Sequence, residues 1–137
     1  MVKVDDFEVV EGLYYSKDYM WVKVEDGKAR VGLSDYAQRK LKQILVLDIP
    51  ASGSTLKQFE PFGTVESIKV VTDVISPLSG VVVEVNKAVQ DDPGLINEDP
   101  FGGGWLILVD PSNLDEEIAK LMDFKKAVEW HKELAKE

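Results

Sequence analysis

The run of β-forming residues from 63 to 86 constrains the fold of this chain more than any other feature. Residues 63–80, Gly63-Thr64-Val65-Glu66-Ser67-Ile68-Lys69-Val70-Val71-Thr72-Asp73-Val74-Ile75-Ser76-Pro77-Leu78-Ser79-Gly80, are mostly β-formers, and Val81-Val82-Val83-Glu84-Val85-Asn86 reads as a further strand. Upstream, Trp21-Val22-Lys23-Val24-Glu25 alternates, Asp26-Gly27 supplies a turn, and Lys28-Ala29-Arg30-Val31-Gly32-Leu33 alternates again. A glycine-containing turn between two period-2 runs predicts a hairpin, with Trp21, Ala29, Val31 and Leu33 facing inward. Short strands with turns about every 8–12 residues, and no long helical pattern between them, favour a sandwich or barrel-like assembly of sheets over βαβ units.

Helical signals are brief. Ser34 reads as the N-cap of a short helix through Leu41, with Asp35 near its positive end and bases toward the other. Ile44-Leu45-Val46-Leu47-Asp48-Ile49 then reads as a buried strand ending at Pro50, and Ala51-Ser52-Gly53-Ser54 as a turn. Residues 90–104 read as a long acidic, Pro/Gly-rich connection, and Trp105-Leu106-Ile107-Leu108-Val109 as a closing strand. Beyond it the period changes. Asn113 with Glu116 predicts a capping box, Leu114, Ile118, Leu121 and Met122 recur at helical spacing, and a second helix from Phe124 to about Lys136 places Phe124, Ala127, Val128 and His131 on one face. The 137 residues are expected to form one domain, residues 1–137, with 113–137 as its helical C-terminal extension.

Composition narrows the chemistry. With no cysteine, the chain can build no disulfide, thiolate nucleophile or cysteine metal site, so any thiol chemistry must arrive on an attached group. The net charge of −9 and the lack of a basic patch argue against nucleic acid as a partner. Met1-Val2-Lys3-Val4-Asp5-Asp6 does not resemble a secretory signal, and no stretch approaches about 18 apolar residues, so no membrane association is expected and the cytoplasm is the default compartment. Asp91-Asp92 lacks calcium-ligand spacing, and Gly102-Gly103-Gly104 does not sit between a strand and a helix as a dinucleotide fingerprint would. No metal site is expected. His131, the single histidine, is expected as a half-exposed helix residue, Trp21 and Trp105 as core or rim residues, and Trp130 as either a partner contact or packing onto the sheet.

Lys69 carries the strongest functional reading. A lysine flanked by Ile68 and Val70 in a β-forming run is ordinarily a solvent-facing sheet residue. At the tip of a tight hairpin, however, its stem would project the amine clear of the sheet, where an enzyme can acylate it while the neighbours pack back and stiffen the turn. Amide formation would also remove the lysine charge, which suits an arm entering a partner's active site.

The order and spacing of several motifs make the chain resemble the glycine cleavage system H-protein family. They are Val31-Gly32-Leu33-Ser34-Asp35-Tyr36-Ala37, Val65-Glu66-Ser67-Ile68-Lys69, Ser76-Pro77-Leu78-Ser79-Gly80, Val83-Glu84-Val85-Asn86, Asn97-Glu98-Asp99-Pro100 and Gly104-Trp105-Leu106. The resemblance runs from about Tyr15 to Met122. It implies a mainly β, lipoyl/biotinyl-like barrel-sandwich hybrid with short helices and a C-terminal helical segment. It implies covalently attached lipoate on Lys69, with Glu66 read by the lipoate-attaching enzyme; the Met-Lys-Met type sequence of biotinyl domains is absent. It further implies a non-enzymatic carrier. The decarboxylating P protein would load an aminomethyl group onto the arm, the T protein would remove it with release of ammonia and transfer of the one-carbon unit to tetrahydrofolate, and the L protein would reoxidise the dithiol.

Three stretches depart from the family pattern. Tyr19-Met20-Trp21 stands where His-Glu-Trp is common, Leu41-Lys42-Gln43-Ile44 where Leu-Gly-Asp-Ile is common, and Pro50-Ala51-Ser52-Gly53 where Pro-x-Val-Gly is usual. They leave open an H-like lipoate carrier serving other lipoyl-dependent enzymes, in heterodisulfide-reductase-like sulfur oxidation or lipoyl relay, and a binding module that has lost the modification.

Overall fold

The computed structural model describes residues 1–136 as three antiparallel sheets and a set of short helices. The strands are β1 (Val2–Val4), β2 (Phe7–Val9), β3 (Tyr14–Tyr15), β4 (Met20–Glu25), β5 (Lys28–Leu33), β6 (Ile44–Asp48), β7 (Thr55–Leu56), β8 (Pro61–Ser67), β9 (Val71–Ile75), β10 (Gly80–Val85) and β11 (Ile107–Pro111). The helices are α1 (Asp35–Leu41), α2 (Lys87–Asp91), α3 (Gly94–Glu98), α4 (Leu114–Ile118) and α5 (Phe124–Leu134). β1 and β2 pair as a hairpin, six strands run in the order β3-β4-β5-β11-β10-β7, and β6-β8-β9 form the third sheet.

The expected hairpin is β4–β5, in register from Met20↔Leu33 to Glu25↔Lys28. Alternation sorts its side chains onto two faces. Met20, Val22, Ala29, Val31 and Leu33 enter the main core, which also takes Leu47 from β6, Val65 from β8, Val74 from β9, Val82 from β10 and Val109 from β11. The six-stranded and three-stranded sheets therefore bury their inner faces against one another. Trp21 points the other way, into a second cluster with Val4, Val9, Leu13, Tyr15 and Ala127. It is fully buried, with its indole N–H donating to the Pro100 carbonyl at 2.9 Å. A Cβ on its cross-strand partner Gly32 would lie 2.6 Å from the indole, so only glycine leaves room for the ring.

Ser34 caps α1 as expected, its hydroxyl accepting from Ala37 N at 3.2 Å. Several expectations need correction. Residues 90–104 are not one long connection: α2 ends and α3 lies inside it, because Asn86 caps α2 and Ile96 supplies an apolar anchor that is completely buried. Leu45 and Val46 of β6 are exposed, so that strand is buried on one face only. The closing strand starts at Ile107; Trp105 lies before it, with Arg30 over its ring at 4.3 Å. Asn113 does not complete a capping box: its side chain donates to the Glu116 carboxylate at 2.9 Å and caps no backbone N–H.

The C-terminal segment is helical in two pieces. Between α4 and α5, Met122 exchanges two 2.8 Å backbone hydrogen bonds with Tyr15, which ties the segment to β3. Asp123 then caps α5 by accepting from Lys126 N. Helix α5 packs on β1, β2 and β3, burying Ala127, His131 and Leu134. Among the described residues, no helix is long and apolar enough to cross a membrane.

Candidate functional site

Lys69 lies not within a strand but at the tip of the β8–β9 hairpin. The last paired residues are Glu66 and Val71, and Ser67 N donates to Val70 O at 2.8 Å, leaving Ile68 and Lys69 as the loop. Two-residue hairpin loops ordinarily use positive φ, supplied by glycine or asparagine. Neither Ile68 nor Lys69 is in that region. The buried Ser67 hydroxyl takes over the closing role, accepting from Lys69 N and from Val70 N, each at 3.1 Å, and donating to Val70 O at 3.2 Å. One serine side chain thus satisfies both amides on the far side of the turn and stiffens it.

A second brace comes from outside the hairpin. Ile68 N donates to Gln43 O at 2.9 Å, just before β6. That segment is itself held by Asn97 of α3, whose Oδ1 accepts from Ile44 N at 2.9 Å and whose Nδ2 donates to Lys42 O at 2.7 Å and Gln38 Oε1 at 3.0 Å. The expectation that the residues beside Lys69 pack back into the sheet is wrong. Ile68 is 66% exposed and Val70 43% exposed, so hydrogen bonds rather than apolar packing fix the tip. Glu66 is also exposed, one strand residue before the turn.

Beside the tip lies a cleft of about 370 Å³. Leu33, Ala37, Leu41, Val65 and Val70 give it apolar walls, Asp18 and Lys40 line it with opposite charges, Lys69 itself lines it, and Asp73 borders it from β9, where its pairing with Thr64 turns its side chain toward the sheet's other face. Tyr19 and Tyr36 form one side, with ring centroids 5.6 Å apart and nearly parallel planes. Tyr19 also stacks on Trp130 of α5 at 5.6 Å, so the C-terminal helix supports the cleft wall. Its backbone sits at φ 71°, a left-handed conformation that is costly for a bulky residue and is held here by Ser34 N donating to its carbonyl at 2.8 Å. Lys40 Nζ lies 5.4 Å from the centre of the Tyr36 ring.

This arrangement suits an acylated Lys69. The exposed amine is reachable by an enzyme, and the adjacent cleft offers apolar surface to an aliphatic chain and the acidic Asp18 to a cation. Sequence reasoning missed the cleft because Tyr19, Tyr36 and Asp73 come from separate elements. Two of the departures from the family pattern fall here: Tyr19 on the cleft wall, and Lys42-Gln43 in the brace of the tip. Met20 is buried in the main core, and Ala51 lies in a separate depression beside Glu84 and Lys87.

His131 does not contribute to the cleft, and it is not half exposed. It is fully buried, with Nδ1 donating to the Ala127 carbonyl at 2.7 Å and with the rings of Tyr15, Tyr36 and Trp130 around it. Burial lowers its proton affinity below the ordinary histidine value. Among the described residues there is no group of acidic, histidine or cysteine side chains that could hold a metal ion.

The family described as glycine cleavage H-protein matches residues 13–134. A probable glycine cleavage system H protein of Pyrococcus abyssi is 44% identical over 135 residues, covering 98% of this chain and 100% of that protein. The glycine cleavage system H protein of Thermoanaerobacter pseudethanolicus is 48% identical over 124 residues, covering 85% and 98%. The crystal structure of a glycine cleavage system H protein from Mycobacterium marinum superposes with a TM-score of 0.82 at 34% identity, covering 90% of this chain and 98% of that one.

Proposed function

Because this chain belongs to the glycine cleavage H-protein family, we propose that Lys69 Nζ is the atom through which it carries a lipoyl group. The protein is a lipoyl carrier for aminomethyl shuttling, and it is a carrier rather than an enzyme. The observation that carries the assignment to Lys69 is its place at the solvent-exposed, two-residue tip that the Ser67 hydroxyl closes, next to the cleft. Lipoate, once attached by an amide, supplies the disulfide and dithiol chemistry that the cysteine-free chain lacks. The chain's own residues present the amine, hold the tip in one conformation, and offer the cleft walls of Leu33, Ala37, Leu41 and Val65 to the arm. Asp18, which lines the cleft together with Lys40, offers a carboxylate to a protonated amine on the arm.

In this reading Glu66 is recognised by the lipoate-attaching enzyme, and the loaded arm visits the P, T and L proteins in the cytoplasm. The Pyrococcus and Thermoanaerobacter relatives are named for glycine cleavage, which favours that pathway over sulfur oxidation or lipoyl relay. The shared core between the six-stranded and three-stranded sheets supports the lipoyl/biotinyl-like barrel-sandwich hybrid. The packing of α5 on β1, β2 and β3 supports a single carrier domain over residues 1–137 with 113–137 as its extension, residue 137 lying outside the described residues.

Intact mass and peptide mapping of the protein from cells with active lipoylation test the assignment. One lipoyl amide on Lys69 is the expected result; an unmodified Lys69 overturns it. Incubating the loaded chain with P protein and glycine tests the pathway, and failure to acquire an aminomethyl group would remove glycine cleavage.

A further inference from the structure

Val46, Glu66 and Val71 form one exposed row across the three-stranded sheet, at the base of the Lys69 tip. Val46 pairs with Glu66 in the β6–β8 register, and Glu66 pairs with Val71 in the β8–β9 register. Cross-strand partners point to the same face of a sheet. Val46 is 49% exposed and Val71 65% exposed, and Glu66 stands between them. The next row on that face is Asp48, Thr64 and Asp73. A face of valines interleaved with carboxylates, beside the equally exposed Ile68, is more apolar than solubility requires.

We infer that this row is the footprint of the lipoate-attaching enzyme, and that β6, some twenty residues before Lys69, is part of what that enzyme recognises. The inference rests on the assignment of the lipoyl group to Lys69. Of all the proteins that meet the arm, the attaching enzyme alone must bring its reacting carbon within bonding distance of Nζ. Later partners act on the far end of the arm and need not touch the tip. A two-residue loop is far smaller than a specific protein interface, which buries roughly 800 Å² per partner, so the enzyme must pack on the flanks of the tip. The flank offered is apolar and acidic, which fits an enzyme surface of apolar residues around a lysine or arginine that pairs with Glu66. In the step itself, the bond from Nζ to the acyl carbon of lipoyl adenylate forms and the acyl–phosphate bond breaks. AMP leaves with the bonding electrons, and the lysine ammonium releases two protons.

The test uses the unmodified full chain, a purified lipoate–protein ligase, lipoate and ATP, with attachment followed by intact mass and located by peptide mapping. Val46→Lys and Val71→Lys place a like charge opposite the expected cation and should each lower kcat/KM for attachment about tenfold, chiefly through KM. Val46→Ser and Val71→Ser guard against misfolding and should lower it by a smaller factor. Val83→Lys, on the exposed face of β10, is the control and should stay near the unaltered chain. Thermal unfolding midpoints report whether each variant folds. Row variants that fold and are modified as fast as the unaltered chain overturn the inference while leaving the Lys69 assignment intact. Row variants with normal attachment but impaired aminomethyl loading assign the row to a later partner and overturn it likewise. Modification of the unaltered chain anywhere other than Lys69 removes the assignment itself, and the inference with it.

Discussion

Lys69 is held in place by Ser67: the lysine amide donates to the serine hydroxyl at 3.1 Å, while the same hydroxyl accepts from Val70 N and donates to Val70 O. The residue that carries the chemistry is thus fixed through its backbone, and its side chain is left free to be modified.

Ser67→Ala removes all three of these bonds and leaves two turn amides to find water. The expected loss of stability is about 1–2 kcal/mol, with slower attachment of lipoate because the tip samples more conformations. Urea unfolding and an attachment time course check both. Unchanged stability with unchanged attachment would mean that the hydroxyl does not close the turn.

Lys69→Arg keeps the charge and the exposed position but removes the primary amine. Stability should change by less than about 0.5 kcal/mol, as for a surface substitution, while lipoylation is abolished. Glu66→Ala should fold equally well and be modified more slowly. Intact mass separates the two outcomes, and an unfolded Lys69→Arg would show that the lysine is structural.

Asn97→Ala takes away the acceptor of Ile44 N and the donor to Lys42 O and Gln38 Oε1. A loss of about 1–3 kcal/mol follows if those groups stay unsatisfied. Because Gln43 O accepts from Ile68 N, amide exchange at Ile68 should also quicken relative to the β4–β5 hairpin. Equal slowing or quickening at both places would argue against a brace specific to the tip.

His131 links stability to pH. Desolvation by burial is the main cause of its lowered proton affinity, partly opposed by the Ala127 carbonyl and by the charge of Asp35. Below the ordinary value of 6.5 the unfolded chain binds the proton more readily than the folded one. The histidine contribution is therefore complete above about pH 6.5 and is lost as pH falls toward the folded value. Thermal unfolding midpoints should drop across that window, and His131→Phe should flatten the drop. A variant with the same slope as the unaltered chain would assign the pH dependence to other groups.

Local pattern carried much of the fold. Alternation and Asp26-Gly27 marked the β4–β5 hairpin, and Ser34 marked the start of α1, because both depend on residues close in the chain. The same locality misled elsewhere. The apolar run of β6 reads as a buried strand, yet Leu45 and Val46 are exposed, since a run of apolar residues does not reveal which face has a partner. Asn113 and Glu116 had capping-box spacing but pair with each other instead.

By itself the sequence determined the short-stranded β character, the lack of any thiol of the chain's own, and Lys69 as the residue to examine. Only the tertiary structure decided that Lys69 sits on a two-residue tip, that Asn97 and Gln43 brace it, and that Tyr19, Tyr36 and Asp73 make a cleft beside it. It also decided that His131 is buried under α5. The reason is separation along the chain: periodicity and capping act over a few residues, whereas the site joins groups from the first strands, the first helix, the third sheet and the last helix. Those groups meet only once the sheets have buried their common core.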